Sequence, residues 1–546
     1  MRRMSRWYNA LLSALLSVLG FESCSSVINN EAEEYGCPLV EYQVKGEVTD
    51  ADSGRPIEGI QAKLGHMFTT DEREQAYAFD SVLTDRAGAF VFPVHGEVAL
   101  QPSLTLILED PHAASGGVGY ASDTVRLKDM EQKQVKQGDG SWYNGAYELT
   151  VARKLKSRVE RNNKIVCCTF FTKRNHNKRK QMGQTKVTPL TLRRKIALEA
   201  WRLHEHNMRK EHPLQQLFWE CTLRCNLHCR HCGSDCKVKA GQQDMPKEDF
   251  MRVLDSIAAK TDPHRVFVIV TGGEPLMRDD LEECCAEIYR RGFPWGMVCN
   301  GLYLTRQRFD GLLRAGLHSI TISLDGLEAD HNWMRGNPRS FDMVSQAIDM
   351  LVETEGLVFD IVTCVNRRNY ASLGAIKEFL IAKGVARWRL FSIFPVGRAA
   401  QDPDMRLTNE EFRGMFEFIK ATRLEGRIRA DYGCEGFLGN YEGDVRNRFF
   451  SCHAGVTVGS VMADGTIAAC ASIRSDYGQG NIYRGDDFME VWESKYHPYR
   501  NREWMRRGEC ADCKYFKYCH GNGMHLRDEN GNLLFCHLKR LQETES

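Results

Sequence analysis

LRCNLHCRHCG, residues 223–233, sets three thiols at C-x3-C-x2-C spacing: Cys225, Cys229 and Cys232. Two metal chemistries compete for them. Zinc normally takes four ligands from paired groups, and Cys221, His228, His231 and Cys236 each lie close enough in sequence to add a fourth. Iron–sulfur clusters are held by thiolates. A cluster ligated through three of its irons leaves the fourth open to a substrate.

The flanking pattern places this loop. Apolar runs at 217–223, 266–272, 295–300, 319–325, 359–366 and 388–394 alternate with amphipathic stretches such as KEDFMRVLDSIAAK. Such alternation predicts a parallel sheet. Six units suit an α/β fold of incomplete (β/α)6 TIM type over 191–430, with functional residues at the C-terminal ends of the strands. The thiol loop ends the first strand. TGGEP (271–275) ends the second, with Gly272 and Gly273 allowing close backbone approach and Glu274 offering a carboxylate to an ammonium. SLDG (323–326) ends the fourth.

WECTLRCNLHCRHC at the end of strand one, followed by TGGEP, resembles the radical S-adenosylmethionine (SAM) superfamily. The resemblance implies a [4Fe–4S] cluster on Cys225, Cys229 and Cys232, with SAM chelated to the open iron. One-electron cleavage of SAM there gives a 5′-deoxyadenosyl radical. It further implies that Gly272, Gly273 and Glu274 meet the methionyl amine, Ser323 the ribose and Arg335 the SAM carboxylate. The FPVGR segment (394–398) is implied to lie near the adenosine.

A second set of thiols follows: Cys434, Cys452, Cys470 in GTIAAC, Cys510 and Cys513 with Cys519 in CADCKYFKYC, and Cys536. It resembles the SPASM extension of peptide-modifying radical SAM enzymes, so 431–546 is expected to be a small domain stapled by clusters. Cys510, Cys513, Cys519 and Cys536 would hold one auxiliary [4Fe–4S] cluster. A second would draw on Cys434, Cys452 and Cys470. That site is incomplete, because Gly523 stands where the pattern expects cysteine, so it holds a cluster, holds zinc or is empty. Cys284, Cys285, Cys299 and Cys364 fall on helix or strand patterns and read as core thiols.

The N-terminal third differs in kind. Residues 1–24 carry a basic start and a short apolar run before Cys24, resembling a lipoprotein signal peptide. Residues 37–151 show alternating strands with Gly and Pro turns, which predicts an all-β sandwich resembling the carboxypeptidase-regulatory-like domain of surface lipoproteins. Residues 152–190 are dense in Lys and Arg and read as a linker. Only Cys24 and Cys37 of the twenty cysteines precede residue 160.

The 546 residues carry a net charge of +1, so no global field argues for nucleic acid. The expected partners are a peptide or lipoprotein substrate, a low-potential electron donor such as a flavodoxin or ferredoxin, and a lipid anchor at the N-terminus. The expected cofactors are SAM, its [4Fe–4S] cluster and one or two auxiliary [4Fe–4S] clusters. The enzyme region is expected in the cytoplasm, whereas a lipidated N-terminus belongs outside it. Either the peptide is modified in cis before export, or two genes are read as one and the enzyme starts near Met182. Two further readings stand beside catalysis: a zinc-stapled binding protein, and electron transfer alone.

Overall fold

The computed structural model describes residues 39–70, 73–97, 104–111, 119–137, 143–156, 190–354, 356–433, 435–473 and 477–542. The signal-like 1–24, Cys434 and most of the basic segment lie outside these residues.

Two sheets form the N-terminal region. In the first, β1 (Leu39–Asp50) pairs antiparallel with β4 (Ala89–Val91) and β5 (His95–Glu97). It also runs parallel to β9 (Tyr143–Leu155), which is flanked by β8 (Glu131–Gln137). The second has the order β3 (Arg73–Leu83), β2 (Gln61–Thr70), β6 (Leu104–Glu109) and β7 (Asp123–Arg126). Alternate residues point inward, as the two-residue period of a strand requires. Val40, Tyr42 and Val44 from one sheet thus share a core with Leu104, Leu106 and Leu108 from the other.

The second region begins with α1 (Leu192–Glu211). Thr191 caps its first turn by accepting from Arg194 N–H at 3.3 Å, and the helix buries Ala197, Leu198, Trp201 and Met208. The order continues as β10 (Gln216–Thr222), α2 (Lys247–Ala258), β11 (Phe267–Gly272), α3 (Leu281–Arg290), β12 (Trp295–Cys299), α4 (Arg306–Arg314) and β13 (Leu317–Ser323). Two helices follow, α5 (Glu328–Arg335) and α6 (Ser340–Val352). Then come β14 (Val358–Val365), α7 (Leu373–Ala382), β15 (Arg387–Ser392), α8 (Asn409–Glu425) and β16 (Arg429–Tyr432). The chain ends with β17 (Val458–Val461), β18 (Thr466–Ala468), β19 (Gly480–Asn481) and short helices.

One sheet gathers these strands in the order β16-β15-β14-β13-β12-β11-β10-β17-β18-β19. Every pair from β16 to β17 is parallel, and β18 and β19 are antiparallel. The six expected strands are all present, but the parallel run is longer than six. β16 adds to one end and β17 to the other. Both span four residues, too short for a hydrophobic period to show in sequence. The expected boundary at 430/431 therefore falls inside β16. Residues beyond it share one core with the barrel, from Leu214 to Leu541.

Helices cover the outer face. Trp219 of β10 stacks on Phe250 of α2 at 4.3 Å, and Cys284 and Cys285 of α3 are fully buried there as structural thiols. Burying one such ring contributes on the order of 2–3 kcal/mol. Among the described residues no helix is long and apolar enough to cross a membrane.

Candidate functional site

The thiol loop leaves β10 and is held by the ends of β11 and β15 and by the C-terminus of α5. Gly273 N–H donates to Thr222 O at 2.8 Å, and Glu274 N–H to Arg224 O at 2.9 Å. Arg398, after β15, donates from its backbone to Cys232 O at 3.0 Å and from Nε to Cys229 O at 2.7 Å. Arg230 N–H donates to Met334 O at 2.9 Å, and its guanidinium lies 4.6 Å from the Trp333 ring. Backbone bonds of this kind fix a loop that carries no regular structure of its own.

The two glycines of TGGEP serve this clamp. Gly272 has φ +149°, and a Cβ there would lie 2.2 Å from Thr222 O; one on Gly273 would lie 2.3 Å from Arg224 O. Their close approach is to the thiol loop itself.

Inside the strand ends is a cavity of about 330 Å³. Cys225, Cys229 and Cys232 line it together with Gly272, Gly273, Glu274, Ser323 and Arg335, so the expected site residues of the barrel converge on one space. Phe394, Val396 and Arg398 of the FPVGR segment line it too. The Glu274 carboxylate is fully buried. It accepts from Asn300 N–H at 2.7 Å and Leu276 N–H at 3.1 Å, and burial pushes its acid up from the usual range. Arg335 is paired with Asp325 at 2.7 Å, and its Nη1 stands 3.6 Å from Cys229 Sγ. Asp325 in turn accepts from Cys364 N–H at 2.9 Å.

The thiols differ electrostatically. Burial pushes Cys225 up to about 12 and raises Cys229. Cys232 is lowered to about 5, by a hydrogen bond from the Cys236 thiol and by the Arg398 guanidinium.

Sequence reasoning missed several lining groups. Asn300 places Nδ2 3.9 Å from Cys225 Sγ. Cys299 and Cys364, expected as core thiols, are buried or nearly so, but both line the cavity, because each lies at the C-terminal end of its strand. Glu435 lines it from beyond β16. His231, Asp325 and Cys364 bring ligand atoms within 4.8 Å of one another, yet Asp325 already carries Arg335.

In the C-terminal set, Cys510 and Cys513 act on the buried thiols of Cys519 and Cys536. Cys519 is raised by burial and then by Cys536, Cys510 and Cys513. Cys536 is raised by burial, with Cys510 and Cys513 adding to it. Arg527 Nη2 stands 3.4 Å from Cys510 Sγ. Cys452 and Cys470 both lie within electrostatic reach of Tyr499. Arg502 donates to Cys452 O at 3.0 Å. A Cβ on Gly523 would meet the His525 ring at 2.7 Å, so the missing cysteine has no ready space.

Donor chemistry fits an iron–sulfur site in the barrel: three thiols and no carboxylate ligand on one loop, beside a glycine cradle. The buried Nδ2 of Asn226 and Nδ1 of His231 have no partner among the described residues, which marks room for a polar guest.

Residues 219–380 match the Radical SAM superfamily, and residues 452–514 match SPASM, an iron–sulfur cluster-binding domain. The chain is 26% identical over 339 residues to the AdoMet-dependent heme synthase of Nitratidesulfovibrio vulgaris, covering 57% of this chain and 90% of that protein. It is 24% identical over 324 residues to the PqqA peptide cyclase of Rhodopseudomonas palustris, covering 56% and 80%. The crystal structure of Streptococcus suis SuiB bound to S-adenosylmethionine aligns with a TM-score of 0.46 at 17% identity, over 60% of this chain and 78% of that one. The radical SAM domain binds a [4Fe–4S] cluster and SAM, and the SPASM domain binds auxiliary iron–sulfur clusters.

Proposed function

From a chain that carries a radical SAM domain and a SPASM domain, we propose a radical SAM enzyme that modifies a peptide or protein, with a lipoprotein of the kind its own N-terminal region resembles as substrate. The observation that carries this reading is the convergence of Cys225, Cys229 and Cys232 with Gly272, Gly273 and Glu274 on one cavity. When bound there, the cluster and SAM supply a one-electron cleavage that yields the 5′-deoxyadenosyl radical.

The protein's own residues position and shield. Cys225, Cys229 and Cys232 hold the cluster. Arg398 and the Gly273–Glu274 backbone fix the loop that carries them. Arg335, neutralised by Asp325, presents N–H groups toward Cys229 sulfur, which stabilises an anionic thiolate. Glu274, Ser323 and the Phe394–Arg398 backbone are the SAM-facing groups. Cys510, Cys513, Cys519 and Cys536 hold an auxiliary cluster that accepts the electron left on the product or binds the substrate, and a flavodoxin or ferredoxin is the enzyme's low-potential electron donor. The likeness to a peptide cyclase supports the peptide substrate. The likeness to a heme synthase supports a second reading, chemistry on a heme precursor.

Anaerobic reconstitution with iron and sulfide, followed by dithionite and SAM, tests the reading. Formation of 5′-deoxyadenosine is expected, and its absence would reject the proposal. Mass spectrometry of a coexpressed lipoprotein, compared with added heme precursors, separates the two substrate readings. An immunoblot of native cells separates fusion from split genes.

A further inference from the structure

Glu435 is 2% exposed, lines the cavity, and has no role in the SAM-facing set described above. Three donors converge on one of its oxygens, Oε2: Ser392 N–H at 3.1 Å, Ser392 Oγ–H at 2.5 Å, and the Tyr432 hydroxyl. Among the described residues, its other oxygen, Oε1, has no donor. A carboxylate saturated on one side and bare on the other is held in place to receive something.

Among the described residues no Arg or Lys is paired with it. His537 Nε2 lies 3.7 Å from Oε2, but its state is fixed by Asn522. The Asn522 Oδ1 accepts from Phe437 N–H at 3.1 Å, which turns Nδ2 toward His537 Nδ1 at 3.3 Å. Nδ1 is then an acceptor, and His537 is the neutral tautomer with its proton on Nε2, a state assigned from the network. Arg446 lies 5.9 Å from the Tyr432 ring but is paired with Glu442 at 2.7 Å. A buried carboxylate without a cation is costly unless a ligand completes it. Phe391 and Phe394 line the same wall, and aromatic faces favour a cation.

We propose that Glu435 is a substrate-specificity residue, whose free oxygen binds an ammonium or guanidinium group of the substrate at the β15 side of the cavity. This rests on the reading of the cavity as a radical SAM active site. Ser392 and Tyr432 are positioning residues that aim the carboxylate. An anionic group would be repelled at the same place, so the proposal favours a basic peptide side chain or amino terminus over an acid-bearing substrate. The SAM ammonium is the other source of the same chemistry, and the test separates the two.

The probes are n-butylammonium, n-butanol and butyrate, run by weak-affinity chromatography over immobilised, anaerobic, reconstituted full-length protein. Wild type is expected to retain n-butylammonium about tenfold more strongly than n-butanol, as a charge-assisted hydrogen bond in a buried site provides, and to exclude butyrate. Glu435→Gln is expected to abolish that preference. Ser392→Ala keeps the charge but loosens its aim, and is expected to reduce the preference several-fold. It also guards against a Glu435→Gln protein that does not fold. Equal retention of the three probes by wild type would overturn the proposal. So would a Glu435→Gln protein that loses SAM affinity while keeping its butylammonium retention, because the carboxylate would then belong to SAM. Failure to form 5′-deoxyadenosine would reject the radical SAM reading without touching the retention result.

Discussion

The two cysteine groups of this chain are held in opposite ways. Cys225, Cys229 and Cys232 sit on one short loop, and that loop is bonded to the ends of β11 and β15 and to the C-terminus of α5. Cys510, Cys513, Cys519 and Cys536 are spread over a segment with little regular structure, where short helical turns stand in for sheet. The first group sits on a loop fixed by hydrogen bonds to neighbouring elements. The second is held in a buried segment, and burial raises the thiols of Cys519 and Cys536. Ligands on a preformed loop serve chemistry; ligands spread along an irregular segment also serve folding.

The largest expected effect separates these roles. Cys229→Ala should reduce 5′-deoxyadenosine formation to background and remove about four irons per chain, with little loss of melting temperature. Cys510→Ala should also remove about four irons, but lower the melting temperature by several degrees and leave SAM cleavage measurable. Iron analysis, product chromatography and calorimetry check both. Equal thermal losses in the two variants would break the contrast.

Next is the barrel's internal ion pair. Asp325→Asn leaves Arg335 buried beside a neutral amide and should cost about 3–5 kcal/mol in denaturant titration. A loss this large would show that the active-site scaffold depends on charge pairing as well as packing.

Smaller again is the glycine cradle. Gly272→Ala forces a side chain at φ +149° against Thr222 O and should cost about 1–3 kcal/mol, with faster cluster loss on chelation. Gly233→Ala meets nothing within 4 Å and should change stability by less than about 0.5 kcal/mol.

The last effect is on pH. In the metal-free chain Cys232 titrates at about 5, below the ordinary 9, so the unfolded thiol holds a proton that the folded one has lost. Stability from this group is present above 9 and is lost as pH falls toward 5. Cys225 is raised to about 12, so its contribution is present below 9 and is lost as pH rises toward 12. Urea titrations of Cys232→Ala should flatten the acid side of the stability profile, and those of Cys225→Ala the alkaline side.

Much of the site was legible early because its parts are local. C-x3-C-x2-C and TGGEP each occupy one strand end, and hydrophobic alternation located the six strands that bring those ends together. Arg335 was found by motif, but its partner Asp325 was not, since an Asp in a turn carries no signal of what it faces. Cys364 was read as a core thiol because burial and cavity lining look alike along a strand. β16 and β17 escaped for their length, and with β16 went any reason to look at Glu435.

Sequence alone determined that three thiols meet on the first loop, because a chain of eight residues cannot carry them far apart. It also determined the parallel sheet, because alternating apolar strands and amphipathic helices bury their faces in few other ways. Only the tertiary structure decided what surrounds the guest. Asn300, Asp325, Cys364, Ser392 and Glu435 come from separate strand ends, and their meeting depends on the order and twist of the whole sheet, which no local pattern encodes.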